Sequence, residues 1–279
     1  MIITEPGLYD IPEDIYHSDP VPGGSLSSST AKMLLPPSCP AIAKWKREHP
    51  AIRDDFEFGS AVHKMVLGKG PQVEVINHEK WNTEIIKAKV EHARANGQIP
   101  LKPKDFARAV RMAEAIRQHP TAGPLFAPGT GLPERSIFWR DERTGAWCRA
   151  MLDWLSIAPP WKPLIVDLKT ISGSSLESVV KQIGNLRYYQ QAAFYTTAVE
   201  HLTGEPPAFL FVFVDVNPPH LPLVFELQPD DLDQGRARNE EALDVWIACQ
   251  ESGEWPGYST EVQSAPLPPW THRQIAMIE

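Results

Sequence analysis

Cysteine is scarce in this chain. Only three occur in 279 residues, at positions 39, 148 and 249. They are too scattered for a disulfide framework or a Cys-x-x-Cys zinc site. Three cannot supply the four thiolates of an iron–sulfur cluster unless another ligand type substitutes. Buried or free thiols are therefore expected. Long apolar runs are also missing, so no segment reads as a bilayer-spanning helix. The start, Met1-Ile2-Ile3-Thr4-Glu5-Pro6-Gly7, lacks the basic-then-apolar order of a signal peptide. An intracellular location is the expectation. Positive charge is in deficit too: the formal net charge is −8. That argues mildly against a nucleic-acid partner, whose phosphates need clustered Lys and Arg, although a local basic patch or a bound cation offsets it.

What is present fits a globular protein able to bury a sizeable core. Hydrophobic residues make up 42% and charged residues 22%. The 28 prolines imply many rigid turns. The most informative stretch is 150–170. Two apolar runs flank a Pro-rich turn and read as a hairpin of buried strands. Each carries an acid, Asp153 in the first and Asp167 in the second, and Lys169 shares a face with Asp167. Charges in core strands are paired or metal-bound. Two acids and an amine on adjoining strand ends could hold a divalent cation and an attacking water. A cation beside Lys169 would lower its pKa from about 10.4. The bland alternative is a set of edge-strand ion pairs.

Along the chain, residues 1–22 read as extended and turn-rich, and Gly23-Gly24 as a joint. A capped helix is expected to start near Ser27 or Ser28 and to stop before Pro36-Pro37. It is either an ordinary capped helix or one whose hydroxyls, Ser27, Ser28 and Ser29, with Lys32 behind them, grip a phosphate or a DNA end. Further helices are expected over 38–48, 56–67, 80–95 and 105–119, the last with the apolar stripe Phe106, Val110, Ala113 and Ile116. His63 lies in the third of these five helices, where a histidine is more often structural than a ligand. A short strand is expected over 73–76 and a loop over 50–55. Residues 80–111 are the most basic stretch and the best candidate for a DNA-facing flank. A Pro/Gly-rich loop over 120–132 leads to strands at 134–140, 147–157 and 164–170. One long helix over 176–202, strands at 208–216 and 223–227, and a helix from a cap at Asp230 to about Gln250 follow. A Pro/Trp-rich tail with Trp255 and Trp270 is expected to wrap the surface. The order fits an α/β or α+β core: a mixed central sheet flanked by helices, with an N-terminal helical region. The expected division is 1–120, helical, and 121–279, the core, integrated as one domain.

Four motifs stand in a fixed order. Asp153, then 13 residues, then Asp167-Leu168-Lys169 resembles the PD-(D/E)xK nuclease motif. Gln191-Ala192-Ala193-Phe194-Tyr195 resembles the Gln-x-x-x-Tyr motif of its RecB-like branch. Gly59-Ser60-Ala61-Val62-His63 resembles that branch's Gly-x-x-x-His helix. The Ser-rich segment from Leu26, with Leu34, Leu35 and Cys39-Pro40, resembles its N-terminal helix. With Gly7-Leu8-Tyr9-Asp10-Ile11-Pro12 and Tyr16-His17, the chain is most similar to phage and prophage exonuclease VIII (RecE)-type nuclease domains. The resemblance implies a restriction-endonuclease-like fold and exonucleolytic hydrolysis of linear double-stranded DNA, 5′→3′, in a bacterial cytoplasm. It implies a 3′ strand passed to a single-strand annealing protein, and a ring-shaped homo-oligomer on DNA ends. It implies one or two Mg²⁺ or Mn²⁺ ions held by His63, Asp153, Asp167 and the Leu168 carbonyl. Lys169 then assists the water, Glu134 is an extra acid, and Gln191 and Tyr195 support the site or touch DNA. The chain departs from the pattern in having Leu152 before the first acid and Asp for Glu at 167. A nicking or structure-specific endonuclease of the same fold, and a non-catalytic DNA-binding module, remain the alternative readings.

Overall fold

The computed structural model describes residues 1–49, 54–156, 163–264 and 266. The chain opens with β1 (Gly7–Tyr9), α1 (Glu13–His17), β2 (Leu26–Ser27), α2 (Ser28–Leu34), α3 (Pro40–Glu48) and α4 (Asp54–Leu67). It continues with β3 (Val73–Val75), α5 (Glu84–Ala95), β4 (Ile99–Leu101), α6 (Pro103–Gln118) and α7 (Ala122–Leu125). Next come β5 (Leu132–Arg140), β6 (Trp147–Ser156), β7 (Leu164–Ile171), α8 (Leu176–Asn185) and α9 (Tyr188–Thr203). The last elements are β8 (Ala208–Asp215), β9 (Pro222–Glu226) and α10 (Pro229–Ser252).

Seven strands form one mixed sheet in the order β1-β5-β6-β7-β8-β9, with β2 alongside β6. The β5–β6 and β6–β7 pairs are antiparallel, and β7–β8 is parallel across the α8–α9 crossover. Strand alternation divides the core in two. Ile165 and Ile171 of β7, with Phe209, Phe211 and Phe213 of β8, face α9, α10 and α2. Val166, Leu168, Val212 and Val214 face α4 and α6. Both faces are apolar, as a sheet covered by helices on either side requires.

The N-terminal segment is tied to this sheet by a buried polar knot. Arg149 of β6 stands 2.6 Å from Asp19 and donates to the Ser25 carbonyl at 2.8 Å. Ser25 donates to Asp19 from both its backbone N–H and its hydroxyl, at 2.9 and 2.7 Å. That network seats β2 beside β6 and fixes where α2 begins. Gly235 of α10 packs so closely on α9 that a Cβ there would lie 2.6 Å from the Tyr189 carbonyl and 2.7 Å from Ala193 Cβ.

Several expectations are corrected. The stretch 1–22 contains α1, and two short elements, β2 and β4, were not anticipated. The segment expected as one long helix is two. Arg187, with φ 51° in the left-handed region, turns the chain between α8 and α9. The buried stripe of α6 is Ala109, Met112, Ala113 and Ile116, while Val110 is exposed and Phe106 only half-buried. Helix α5 starts at Glu84, and the expected loop over 120–132 holds α7. The N-cap position of α10 is Gln228, which makes no side-chain capping bond, and Asp230 lies inside the first turn. Residues 50–53, Ile157 and Trp270 lie outside the described residues. Trp255 packs edge-on against Trp246 of α10, ring centroids 5.6 Å apart. All three cysteines are free and buried. Among the described residues, no helix is long and apolar enough to cross a membrane.

Candidate active site

The β6–β7 ladder ends at Trp154↔Val166, and the next cross-strand position is Asp153 opposite Asp167. On the other side of β6, Pro133↔Trp154 and Arg135↔Leu152 bracket Glu134 opposite Asp153. Three acids on three neighbouring strands thus stand at one level of the sheet. They interrupt the ladder there. In its place Asp153 Oδ2 accepts the Leu168 N–H at 2.7 Å. Glu134 sits in the left-handed region at φ 44°, and its carbonyl accepts from Lys69 Nζ at 2.9 Å. Gly70 lies so near that a Cβ would meet the Glu134 carboxylate at 2.9 Å.

Asp167 is 1% exposed. Burial pushes its pKa up to about 6, although Lys169 pulls the other way. The Lys169 ammonium stands 2.5 Å from Asp167 Oδ2, which has no aligned hydrogen-bond donor. Burial works to lower the Lys169 pKa, but Asp167 and Asp153 outweigh it and hold the amine above its usual range. Each of the two groups thus favours the charged form of the other. Glu134 is raised by burial and by its acidic neighbours Glu13 and Asp153.

Helices complete the arrangement. His63 of α4 approaches Asp153, with Nδ1 3.7 Å from Oδ1. Gly59, one turn earlier, faces Thr170 of β7, whose hydroxyl would lie 3.8 Å from a Cβ at that position. Gln191 of α9 donates to Asp167 Oδ1 at 3.1 Å. Tyr195, one turn on, is half-buried, and desolvation drives its phenol well above the usual range; its neighbour Gln191 works against this. Ser27 Oγ caps α2 by accepting from Thr30 N at 3.3 Å, and it also bonds the Ser29 and Thr30 hydroxyls. Ser28 is buried and Ser29 exposed. Lys32 is driven down to about 8 by burial and then by Lys169.

One cleft of about 640 Å³ collects these groups. His63, Glu134, Asp153, Asp167, Leu168, Lys169, Gln191, Tyr195, Ser27, Ser28, Ser29 and Lys32 all line it. Tyr16, already part of the RecE-type resemblance, lines it, as do Glu13 and Tyr188, which the sequence reading did not mark. Tyr188 lies near two amines, with Lys169 Nζ 5.1 Å and Lys32 Nζ 5.7 Å from its ring centroid. Nothing in the sequence marked it, because its place depends on the turn at Arg187. In the basic stretch 80–111, four of the eight Lys and Arg side chains hold a carboxylate among the described residues, Lys87 that of Glu84 and Lys104 that of Glu79. Arg94 holds Glu57 and Glu91, and Arg108 holds Asp105.

The donor set suits a hard cation. Carboxylate oxygens converge with an imidazole, and Asp167 Oδ2 is buried without an aligned donor. No three His, Cys, Asp or Glu side chains are gathered as a preformed metal cage among the described residues.

The model of a family described as "PDDEXK-like domain of unknown function (DUF3799)" matches residues 27–267. The chain belongs to this family. Its mixed sheet with acids at one level is accordingly the restriction-endonuclease-like fold of PD-(D/E)xK nucleases. The crystal structure of a "Putative exonuclease" from Eubacterium rectale is similar in fold, with a TM-score of 0.63 at 15% identity. The match covers 95% of this chain and 98% of that one. A second structure, SSO0001, has a TM-score of 0.33 at 8% identity over 72% of this chain and 81% of that one, and carries no argument. No curated protein matches in sequence.

Proposed function

We propose that this PDDEXK-like chain is a divalent-cation-dependent deoxyribonuclease that works as an exonuclease on linear double-stranded DNA. The observation that carries this reading is the convergence of Asp153, Asp167 and Lys169 on one cleft wall, the ammonium 2.5 Å from a buried carboxylate. Asp153, Asp167, His63 and the Leu168 carbonyl would hold Mg²⁺ or Mn²⁺. When bound, such an ion neutralises phosphate charge and acidifies a bound water.

The chain's own groups do the rest. Lys169, kept protonated by its carboxylates, donates to the attacking water or to a phosphoryl oxygen and stabilises charge that grows in the transition state. Gln191 fixes the Asp167 carboxylate, and Tyr195 braces Gln191. Glu134 lies on the far side of Asp153, placed to accept a proton from water. Lys32 and the α2 hydroxyls face the same cleft and would hold the DNA backbone. Degradation 5′→3′, a ring-shaped oligomer, an annealing partner and a bacterial cytoplasm belong to this reading through the RecE-type resemblance alone.

The test is end-labelled linear duplex incubated with Mg²⁺ or with EDTA. Release of labelled nucleotides only with Mg²⁺, and only from one labelled end, supports the reading. Cleavage of covalently closed circles would instead assign an endonuclease.

A further inference from the structure

A second cleft of about 430 Å³ adjoins the first. It is lined by Glu57, Phe58, Trp81, Lys102, Asp105 and Arg108, among others, and by Thr170. Thr170 borders both clefts, so the two meet at β7. Its size is that of a site for a small ligand.

The lining has a particular chemistry. Trp81 packs against Ile76, Ile86 and Val90, which anchor its indole. The Lys102 ammonium sits over that indole, 5.2 Å from the centroid. Lys102 has no carboxylate partner among the described residues, while Arg108 is engaged twice. Its guanidinium lies over Phe58 at 4.1 Å and it bonds Asp105 at 3.2 Å. Glu57 is likewise held by Arg94 at 2.7 and 2.9 Å. An anchored aromatic surface with one uncommitted cation on a flexible stem suits a flat aromatic group bearing a single phosphate. Glu57 and Asp105 make the lining mixed in sign, unfit to track a run of phosphates.

We propose that this cleft is a subsite for one unpaired nucleotide of the DNA substrate, the base stacked on Trp81 and its phosphate on Lys102. The inference rests on the nuclease reading for its substrate and goes beyond it. A base can enter only after leaving its duplex neighbours, so the subsite favours ends that are frayed or carry an overhang. Lys102 swings off the indole as the base arrives and takes the phosphate.

The test compares the native protein with Trp81→Ala, Trp81→Phe and Lys102→Met. Binding of a fluorescein-labelled thymidine oligonucleotide is read by anisotropy in EDTA, and hydrolysis of frayed and blunt duplexes is read in Mg²⁺. Trp81→Ala is expected to bind about five-fold or more weakly and to lose the preference for frayed ends, while Trp81→Phe keeps most of both. Lys102→Met is expected to flatten the slope of log affinity against log salt by about 0.7, which a purely structural role would not do. If Trp81→Ala melts early, Lys102→Met decides. Oligonucleotide binding and end preference unchanged in Trp81→Ala and Lys102→Met would overturn the subsite and leave the nuclease reading standing. Trp81-dependent binding by a native protein that hydrolyses no DNA would overturn the nuclease reading and keep the subsite.

Discussion

Gln191 Nε2 donates to Asp167 Oδ1 at 3.1 Å, linking α9 to the acid at the centre of the sheet. One oxygen of Asp167 is thereby fixed by an amide and the other faces the Lys169 ammonium. Supports of this kind are worth roughly 10- to 100-fold in activity. Gln191→Ala should therefore lower kcat by about that factor, leave KM nearly unchanged and keep the fold. Steady-state kinetics with circular dichroism on the same sample checks it.

The two amines near Tyr188 should separate kinetically. Lys169 stands against Asp167 in the proposed reacting centre, whereas Lys32 has no carboxylate partner among the described residues and faces the cleft. Lys169→Met should abolish turnover with little change in DNA affinity. Lys32→Met should raise KM several-fold and weaken its salt dependence, with kcat nearly kept. Equal losses of kcat in both would contradict the division of roles.

Stability should depend on the Arg149 knot. Removing one partner of a buried, hydrogen-bonded ion pair costs about 3–5 kcal/mol. Arg149→Met, which leaves Asp19 short of its closest cation, should destabilise by about 3 kcal/mol in urea unfolding. A cost below about 1 kcal/mol would show that Ser25 and the more distant Arg47 suffice for Asp19.

Asp215 ends β8 and accepts from Asn217 N at 2.8 Å, Asn217 Nδ2 at 3.1 Å and Gly173 N at 3.3 Å. Burial tends to raise its pKa, but these donors outweigh it and hold the carboxyl below its usual value. A depressed folded pKa stabilises fully above the unfolded value and ceases to as pH falls through the folded one. Native protein should thus exceed Asp215→Asn in melting temperature at about pH 7, with the gap shrinking by about pH 3. A gap that widens in acid would contradict the sign.

Much of the centre was legible in sequence because its signals are local. A period-two strand fixes that Asp167 and Lys169 share a face, and an acid in an apolar run stands out whatever surrounds it. The N-cap at Ser27 was visible for the same reason. What escaped depends on tertiary contacts. The left-handed residue at the break is Arg187 and not the nearby Gly184, so α8 and α9 read as a single helix and Tyr188 was lost with the turn. The two-residue β2 is set by its pairing with β6, beside the Arg149 knot, and no local signal announces it. The stripe of α6 was displaced because α4 and β8 select which of its apolar residues are covered.

The central claim is that the 153–167–169 constellation hydrolyses DNA with a divalent cation. Its most direct test is hydrolysis of end-labelled linear duplex by native protein, Asp167→Asn and Lys169→Met, each with Mg²⁺ and with EDTA. Mg²⁺-dependent release by the native protein, absent in both variants although they remain folded, is the predicted result. Hydrolysis undiminished in both variants, or unaffected by EDTA, would contradict it.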